Sequence, residues 1–375
     1  NQFQFVHNRA GCDPVAAISQ ATAECQDPAN TRAINAANGG DYDPSGSVLQ
    51  TGAGRTPVDA NLKPQSSDEI VLGGEYEVIH DGRAGVTYTH RYMNSVIEDL
   101  SVDEGSTYFI GNPGEGLASA FPRATRNYHA VTGYFTKAFD EGWMAQVSYT
   151  YSTLTGNYNG LFRPETGQID PNNNADFDLV SLLANRSGPL DADRSHSIKA
   201  YAAKEFQVTQ RFSLLAGLTY EGRSGAPINY FGSHPIYGRD EVFVLPRGAG
   251  GRLPWRHTIN AKLAARYRVS KDNVIEFSAD VFNMLNFQAV TAVDQTLTTS
   301  DVLPYVATNT KDPQSEACLA GSSLPQCAGG QTPIQAVDGD GNTYNLTREE
   351  LNPNFKRPRE YQQPISVRFG LKFIF

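Results

Sequence analysis

The chain ends in PISVRFGLKFIF, residues 364–375. In an extended chain Ile365, Val367, Phe369, Leu371, Phe373 and Phe375 fall on one face. Ser366, Arg368, Gly370 and Lys372 fall on the other, and Ile374 is the exception. A period of two over this length predicts a β-strand. A domain in water normally finishes in a frayed polar tail, whereas this chain stops on an aromatic inside the alternation. The fold therefore turns on what the apolar face meets.

Upstream the same period recurs. DEIVLGGEYEVIH carries Ile70, Leu72, Gly74, Tyr76 and Val78 against Glu69, Glu75 and Glu77, and the turn His80-Asp81-Gly82-Arg83 joins it to RAGVTYTHRY. An Asp-Gly turn between alternating runs predicts a hairpin. NYHAVTGYFTKAF, which alternates less cleanly, meets GWMAQVSYTYST through Asp140-Glu141-Gly142. HSIKAYAAKEF meets FSLLAGLTYEG through Val208-Thr209-Gln210, and RHTINAKLAARYRV meets NVIEFSADVFN through Ser270-Lys271-Asp272. With the terminal strand this gives about nine strands. Short turns alternate strictly with the long segments 94–126, 155–193, 224–254 and 285–363.

That asymmetry decides the fold class. A half-buried antiparallel sheet explains the alternation but not long connections confined to one end. A barrel of the outer-membrane type explains both, with short periplasmic turns and long outer loops. No apolar run is long enough for a spanning helix, but a spanning strand needs only about 9–11 residues with every second one apolar. The expected fold is thus all-β, an antiparallel transmembrane β-barrel segment. Residues 1–67 form an outer loop region, and 68–375 the C-terminal part of one barrel domain. Trp143, Tyr149, Tyr151 and Tyr267 lie near strand ends on the apolar face, where an interfacial aromatic girdle belongs. Glu75, Glu77, Lys199, Lys262, Arg266, Glu276 and Arg368 lie on the other face, suiting a wet or plugged lumen with cross-strand pairs.

Composition narrows the function. The 375 residues carry a net charge of -9, which argues against a nucleic-acid partner. The opening NQFQFVHNRAGCDP has neither the basic start nor the apolar run of a secretory leader. The reading here is that a leader has been removed or that the chain begins part-way through a longer one. The cysteines form two local pairs, Cys12 with Cys25 and Cys318 with Cys327. Their place in outer segments favours two loop disulfides in an oxidising compartment over four free thiols. A zinc site does not fit the spacings of these cysteines.

Nothing in the sequence reads as an enzyme or a cofactor site. His7, His80, His90, His129, His196, His234 and His257 are scattered, and no G-x-S-x-G motif occurs. Asp338, Asp340, Asn342 and Glu349 occupy the first, third, fifth and twelfth places of a calcium loop. Thr343 stands at the sixth place, where such a loop needs glycine, so a solvated turn is the preferred reading and a weak Ca²⁺ site the alternative. The tyrosine-rich stretches Tyr149–Tyr158 and Tyr230–Tyr237 could line a ligand surface or anchor the girdle; anchoring is the commoner role.

Several stretches together resemble the C-terminal barrel portion of TonB-dependent receptors, the Oar-like group above all. They are LKPQSSDEIVLGGEYEV, YTHRYMNSVIEDLS, YEGRSGAPIN, LPWRHTINAKLAARY, FSADVFNMLNFQAV and LNPNFKRPREYQQPISVRFGLKFIF. The resemblance spans most of 62–375, and 280–286 with the C-terminus carry it most specifically. It implies a barrel of about 22 strands with a plugged lumen. It also implies a role for Gly370, Phe373 and Phe375 as the signal read by the barrel-assembly machinery. Partners implied are outer-membrane lipid, the rest of the barrel or other subunits, and an inner-membrane energy-coupling complex acting through a plug. No plug and no coupling box is visible here, and an odd strand count is unexpected for a complete barrel. The chain is therefore expected to be the C-terminal part of a longer receptor rather than half of a split barrel. The expected function is energised passage of a ligand across the outer membrane of a Gram-negative-type bacterium. An export or surface-assembly port, an adhesive surface protein and, more remotely, a secreted hydrolase are the alternatives.

Overall fold

The structure, a computed structural model, describes residues 57–167, 175–271, 273–304, 317–318 and 332–375. Cys12, Cys25 and Cys327 lie outside the described residues, and only the backbone of Cys318 is described. Among the described residues no helix is long and apolar enough to cross a membrane, which says nothing of strands. Two compact units are present.

The larger unit is built on one antiparallel sheet. Its nine principal strands are β1 (Ser66–Ile79), β2 (Gly82–Ser95), β3 (Arg126–Asp140), β4 (Trp143–Gly156), β5 (His196–Gln207), β6 (Phe212–Arg223), β7 (Arg256–Arg268), β8 (Val274–Phe282) and β9 (Ser366–Ile374). Each pairs with its neighbour in sequence, so the order in space is the order in the chain. The sheet does not close on itself: among the described residues β1 and β9 are edge strands. The strand bounds fall within a few residues of those expected, and the closed barrel is not seen.

Turn chemistry sets the short end. Glu141 and Gly142, between β3 and β4, both have positive φ (51° and 76°), the geometry whose twist matches antiparallel strands. Asp81 takes the same left-handed conformation between β1 and β2. These turns fix the register, and the register fixes the faces.

One face is apolar across the sheet. Ala84, Val86, Phe135, Val147, Ala200, Tyr220 and Ile259 are linked through successive pairs from β2 to β7, with Val86 one pair removed along β2. Phe206, Leu214, Ala265, Phe277 and Leu371 form another row, from β5 to β9. Phe277 and Phe369 stack with centroids 6.2 Å apart. These side chains pack on one another but have nothing above them: Leu263 is 56% exposed and Phe369 68%.

The opposite face is polar and paired. Arg266 on β7 donates to Glu276 on β8 (2.7 Å) and approaches Glu205 on β5 (3.8 Å). Asp280 on β8 bridges Arg368 on β9 (3.0 Å) and Lys262 on β7 (3.6 Å). Thr132 and Thr150 share a hydrogen bond of 2.9 Å, and Arg83 meets Glu75 at 3.0 Å. Gly370 faces Ser278, whose Oγ lies 2.9 Å from where a Cβ would stand, so a side chain there would crowd the β8–β9 ladder.

The smaller unit, among its described residues, comprises 57–65, 95–124 and 177–183. Val96, Leu100, Ala118, Phe121, Phe177, Leu179 and Leu182 are its buried apolar residues. Asn112 ties it together: its amide donates to the carbonyls of Lys63 and Val96, and its oxygen accepts from the Lys63 N–H at 2.7 Å.

Asp280→Ala is expected to leave two cations on the polar face without their shared acceptor. The loss should be about 1–2 kcal/mol, since hydrogen bonds to charged groups are worth more than neutral ones. It should appear as a lower unfolding temperature of the native protein in detergent.

Candidate binding site in the long loops

Within the larger unit, the connections after β4, β6 and β8 leave the same end of the sheet. They are not plain polar loops. Tyr158, Leu190, Ile228, Tyr230, Phe231, Val242, Phe243, Val244, Leu245, Leu297, Ile334 and Leu346 are buried. Phe231–His234 pairs with Gly238–Phe243 and with Thr296–Asp301, a small sheet drawn from two of the loops.

A buried ionic cluster locks the first two of these loops. Asp176 is fully buried, with Arg186 Nη1 at 2.5 Å, Arg247 Nη2 at 3.7 Å and Arg163 Nε at 3.8 Å from its Oδ1. Arg163 also pairs with Glu241. Arg247 pairs with Glu165 at 3.1 Å and donates from Nε to the Arg186 carbonyl at 2.7 Å. Both Glu165 oxygens accept from Asn159 at 2.5 Å. Arg247 lies 4.3 Å over the Phe243 ring. Charges removed from water are tolerated when they are paired and hydrogen-bonded. Burial would raise the Asp176 carboxyl, but Arg186, Arg163 and Arg247 outweigh it and hold the group below the ordinary carboxylate range.

Beside the cluster the three loops enclose a polar cavity of about 530 Å³. Glu165, Thr166, Asp191 and Arg194 line it from the first loop, Ile228 and Leu253 from the second, and Gln295, Arg359 and Glu360 from the third. A cavity of this size suits a small organic ligand. Arg194 is turned to the main chain, its Nη1 donating to the carbonyls of Asp191 (2.6 Å) and Asp193 (2.8 Å). The Asp191 carboxyl behaves differently. Burial, with the nearby Glu165 charge, raises it from 3.8 to about 6, against the pull of Arg194 and Arg247.

The residues singled out in the sequence lie elsewhere. Tyr149 and Tyr151 are on the apolar face, while Tyr158 and Tyr230 are buried; the Tyr230 ring lies tilted against Phe355 at 4.9 Å and its hydroxyl accepts from Lys356 Nζ at 2.9 Å. Phe373 is opposite Ile275 on the apolar face, and Phe375 is fully exposed beyond the strand end. Asp338 closes its own turn, accepting from the N–H groups of Asp340 (3.0 Å) and Asn342 (2.8 Å). Glu350, not Glu349, binds back, capping Thr347 and accepting from Tyr344 at 2.6 Å. Among the described residues, the groups of acids and histidines close enough to share a cation are His80, Asp81 and Asp140, and Glu98, Asp99 and Asp178.

Four histidines that look scattered in sequence gather at the long-loop end of the apolar face. Tyr88 bonds His129 at 3.0 Å, Tyr149 bonds His196 at 2.8 Å and Tyr220 bonds His257 at 2.8 Å, in each case Oη to Nδ1. Each pair joins two strands connected by a long loop. His90 stacks on His129 at 4.1 Å, and Trp255 stacks between His196 (5.6 Å) and His257 (5.8 Å). Gly222 makes one pair possible: a Cβ there would stand 2.4 Å from the Tyr220 hydroxyl.

No protein-family model matches the chain. Among curated proteins it is 49% identical over 367 residues to the TonB-dependent transporter Oar of Myxococcus xanthus. The match takes in 97% of this chain and 33% of that protein, so the chain spans about a third of the relative's length. Among solved structures, the closed form of the ferric-catecholate import receptor Fiu from Escherichia coli K12 overlays 68% of this chain and 28% of its own. That overlay has a TM-score of 0.37 and 14% identity.

Two outcomes are expected. Asp176→Ala leaves three buried arginines around an empty place and should cost about 3–5 kcal/mol, as breaking a buried pair does. Limited proteolysis around Arg163 and Arg186 should then be faster than in the native protein. Asp191→Asn works in the other direction. The unfolded chain returns this carboxyl to its ordinary value, so the folded protein holds the extra proton between pH 3.8 and about 6. The group's contribution is most favourable below that window and is lost as the pH rises through it. The variant should therefore melt at a higher temperature than the native protein at pH 7.5, and the difference should close towards pH 4.

Proposed function

Starting from a chain homologous to the C-terminal part of an Oar-like TonB-dependent receptor, we propose that these residues build part of an outer-membrane transporter's wall. The nine strands contribute one arc of a barrel completed by strands outside this sequence. The apolar face meets lipid, the polar face lines a lumen that holds a plug, and the long loops lie outside the cell. Passage of the ligand is energised by an inner-membrane complex that acts through the plug.

One observation carries this reading: a sheet apolar across one face and ion-paired across the other, with its long connections at one end. In water the apolar face would be a large aggregation surface. In lipid it is the required surface, and the cross-strand ion pairs become the lining of an aqueous interior. The tyrosine, histidine and tryptophan belt supports the same orientation, because amphipathic rings concentrate at the headgroup level. The edges of β1 and β9 support a larger barrel, since an unpaired edge is not tolerated in lipid. No observation favours an export port or an adhesive protein over this reading.

Leu371→Arg places a cation mid-strand on the apolar face and should cost about 2–4 kcal/mol in lipid. Thr219→Arg, on the polar face, should be tolerated. Outer-membrane fractionation and heat-shifted gel migration should show loss of the folded form for the first variant only. Equal tolerance of both would contradict the lipid-facing assignment.

A further inference from the structure

We propose that the cavity enclosed by the loops after β4, β6 and β8 binds an organic cation, an ammonium or guanidinium group, with Asp191 as its anionic anchor. As the ligand class of a transporter this rests on the function proposed above. As a binding site it stands on the loops alone.

The argument is an account of charges in the cavity wall. Glu165 is committed, to Arg247 at 3.1 Å and to Asn159 through both oxygens. Arg194 is committed to two backbone carbonyls. Arg359 and Glu360 stand exposed on the third loop. Asp191 is the inward charge left over: among the described residues its carboxyl accepts no hydrogen bond and forms no ion pair. A mostly buried carboxylate without a donor is costly to the fold, because desolvation is not offset. Other acids buried in or beside this loop layer are met by arginines. Asp193 has Arg252, Asp176 has three arginines, and Glu241 has Arg163. An acid without a donor in a cavity of ligand size, beside Glu165, Asp176, Asp193 and Glu241 that each have an arginine, is the pattern of a group reserved for something that arrives. Apolar Pro164, Ala226, Pro227, Ile228, Leu253 and Val293 supply a wall for the ligand's hydrocarbon part.

The ammonium can come from a free small amine or from a lysine side chain of a peptide. The test uses the native protein purified in detergent and isothermal titration at pH 7.5. One probe is cadaverine; the other is an end-blocked Gly-Lys-Gly peptide; each is also used with its amines acetylated. We expect at least one free-amine probe to bind, and which one identifies the source. Acetylation and Asp191→Asn should each weaken binding about tenfold or more, the scale of one lost charge-assisted contact. Affinity should fall about tenfold from pH 7.5 to pH 5, because protons then compete for the carboxyl that Glu165, Arg194 and Arg247 surround. Asp191→Asn is expected to fold at least as well as the native chain, so its loss of binding is not a folding defect. Binding of neither amine, equal binding of the acetylated probes, or undiminished binding by Asp191→Asn would overturn the site. Binding without uptake by cells would keep the site and overturn the transport reading.

Discussion

Backbone amides in hydrocarbon have no water to turn to, and the rest of this structure follows from that constraint. A spanning segment must satisfy its N–H and C=O groups internally, which leaves helices or closed sheets. Among the described residues no helix is long and apolar enough for the task. The chain has instead nine strands, each bonded to the next, so every interior strand is satisfied on both sides. Only β1 and β9 are not. The same constraint dictates the side chains: outward positions are apolar because they replace solvent, and inward ones are free to be charged. Asp280, between Arg368 and Lys262, ties the neighbouring strands β7, β8 and β9 on the inward face, and Arg266 joins β7 to Glu276 on β8 and reaches across β6 towards Glu205 on β5.

Above the strands a different logic holds. The loops after β4, β6 and β8 bury charged side chains, Arg163, Asp176, Arg186 and Arg247, beside apolar ones such as Phe231, Phe243 and Leu297. Their rigidity is shared with ionic locks, in which Arg163, Arg186 and Arg247 converge on Asp176. Such a cluster specifies one arrangement strongly, because removing any member leaves an uncompensated charge. A preorganised polar cavity next to it is the natural consequence: its walls are held by bonds that a ligand does not have to make. The pairing of Tyr88, Tyr149 and Tyr220 with His129, His196 and His257 plays a comparable part at the strand ends. It repeats every second strand from β2 to β7, at three of the pairs of strands that carry a long loop.

The strands, their order and most of their faces were legible in the sequence because they depend on local period and turn chemistry; the faces of β3, where NYHAVTGYFTKAF alternates poorly, were not. RFGLKFIF and the Asp140-Glu141-Gly142 turn each contain their own explanation. The polar-face pairs were legible as a class, since charges on one face of adjacent strands must meet. The loop site was not. Arg163, Asp176, Arg186, Glu241 and Arg247 are separated by up to 84 positions (247 − 163 = 84), and no local pattern links them. The stretch around Asp176 reads as a polar loop because the spacing of Arg163 and Arg186 fits no helix or strand period, and Arg247 lies in another loop. The histidines looked scattered for the same reason: each is ordinary alone, and only the strand register brings it to a tyrosine. Asp191 gave no signal, as its distinction is the absence of a partner, which only the fold reveals.

The central claim, that this sheet has one lipid-facing and one water-facing side, is tested most directly on β7. A single nitroxide label would be placed in turn at positions 259 to 267 of the native protein, with its own cysteines replaced, and the protein reconstituted in a bilayer. Collision with oxygen, which concentrates in lipid, would be compared with collision with a water-soluble nickel chelate. The account predicts a two-residue alternation, with Ile259, Ala261, Leu263 and Ala265 positions favouring oxygen and Asn260, Lys262 and Arg266 positions favouring the chelate or shielded from both. A profile without that period, or one in which the Leu263 position meets the chelate as readily as the Lys262 position, would contradict it.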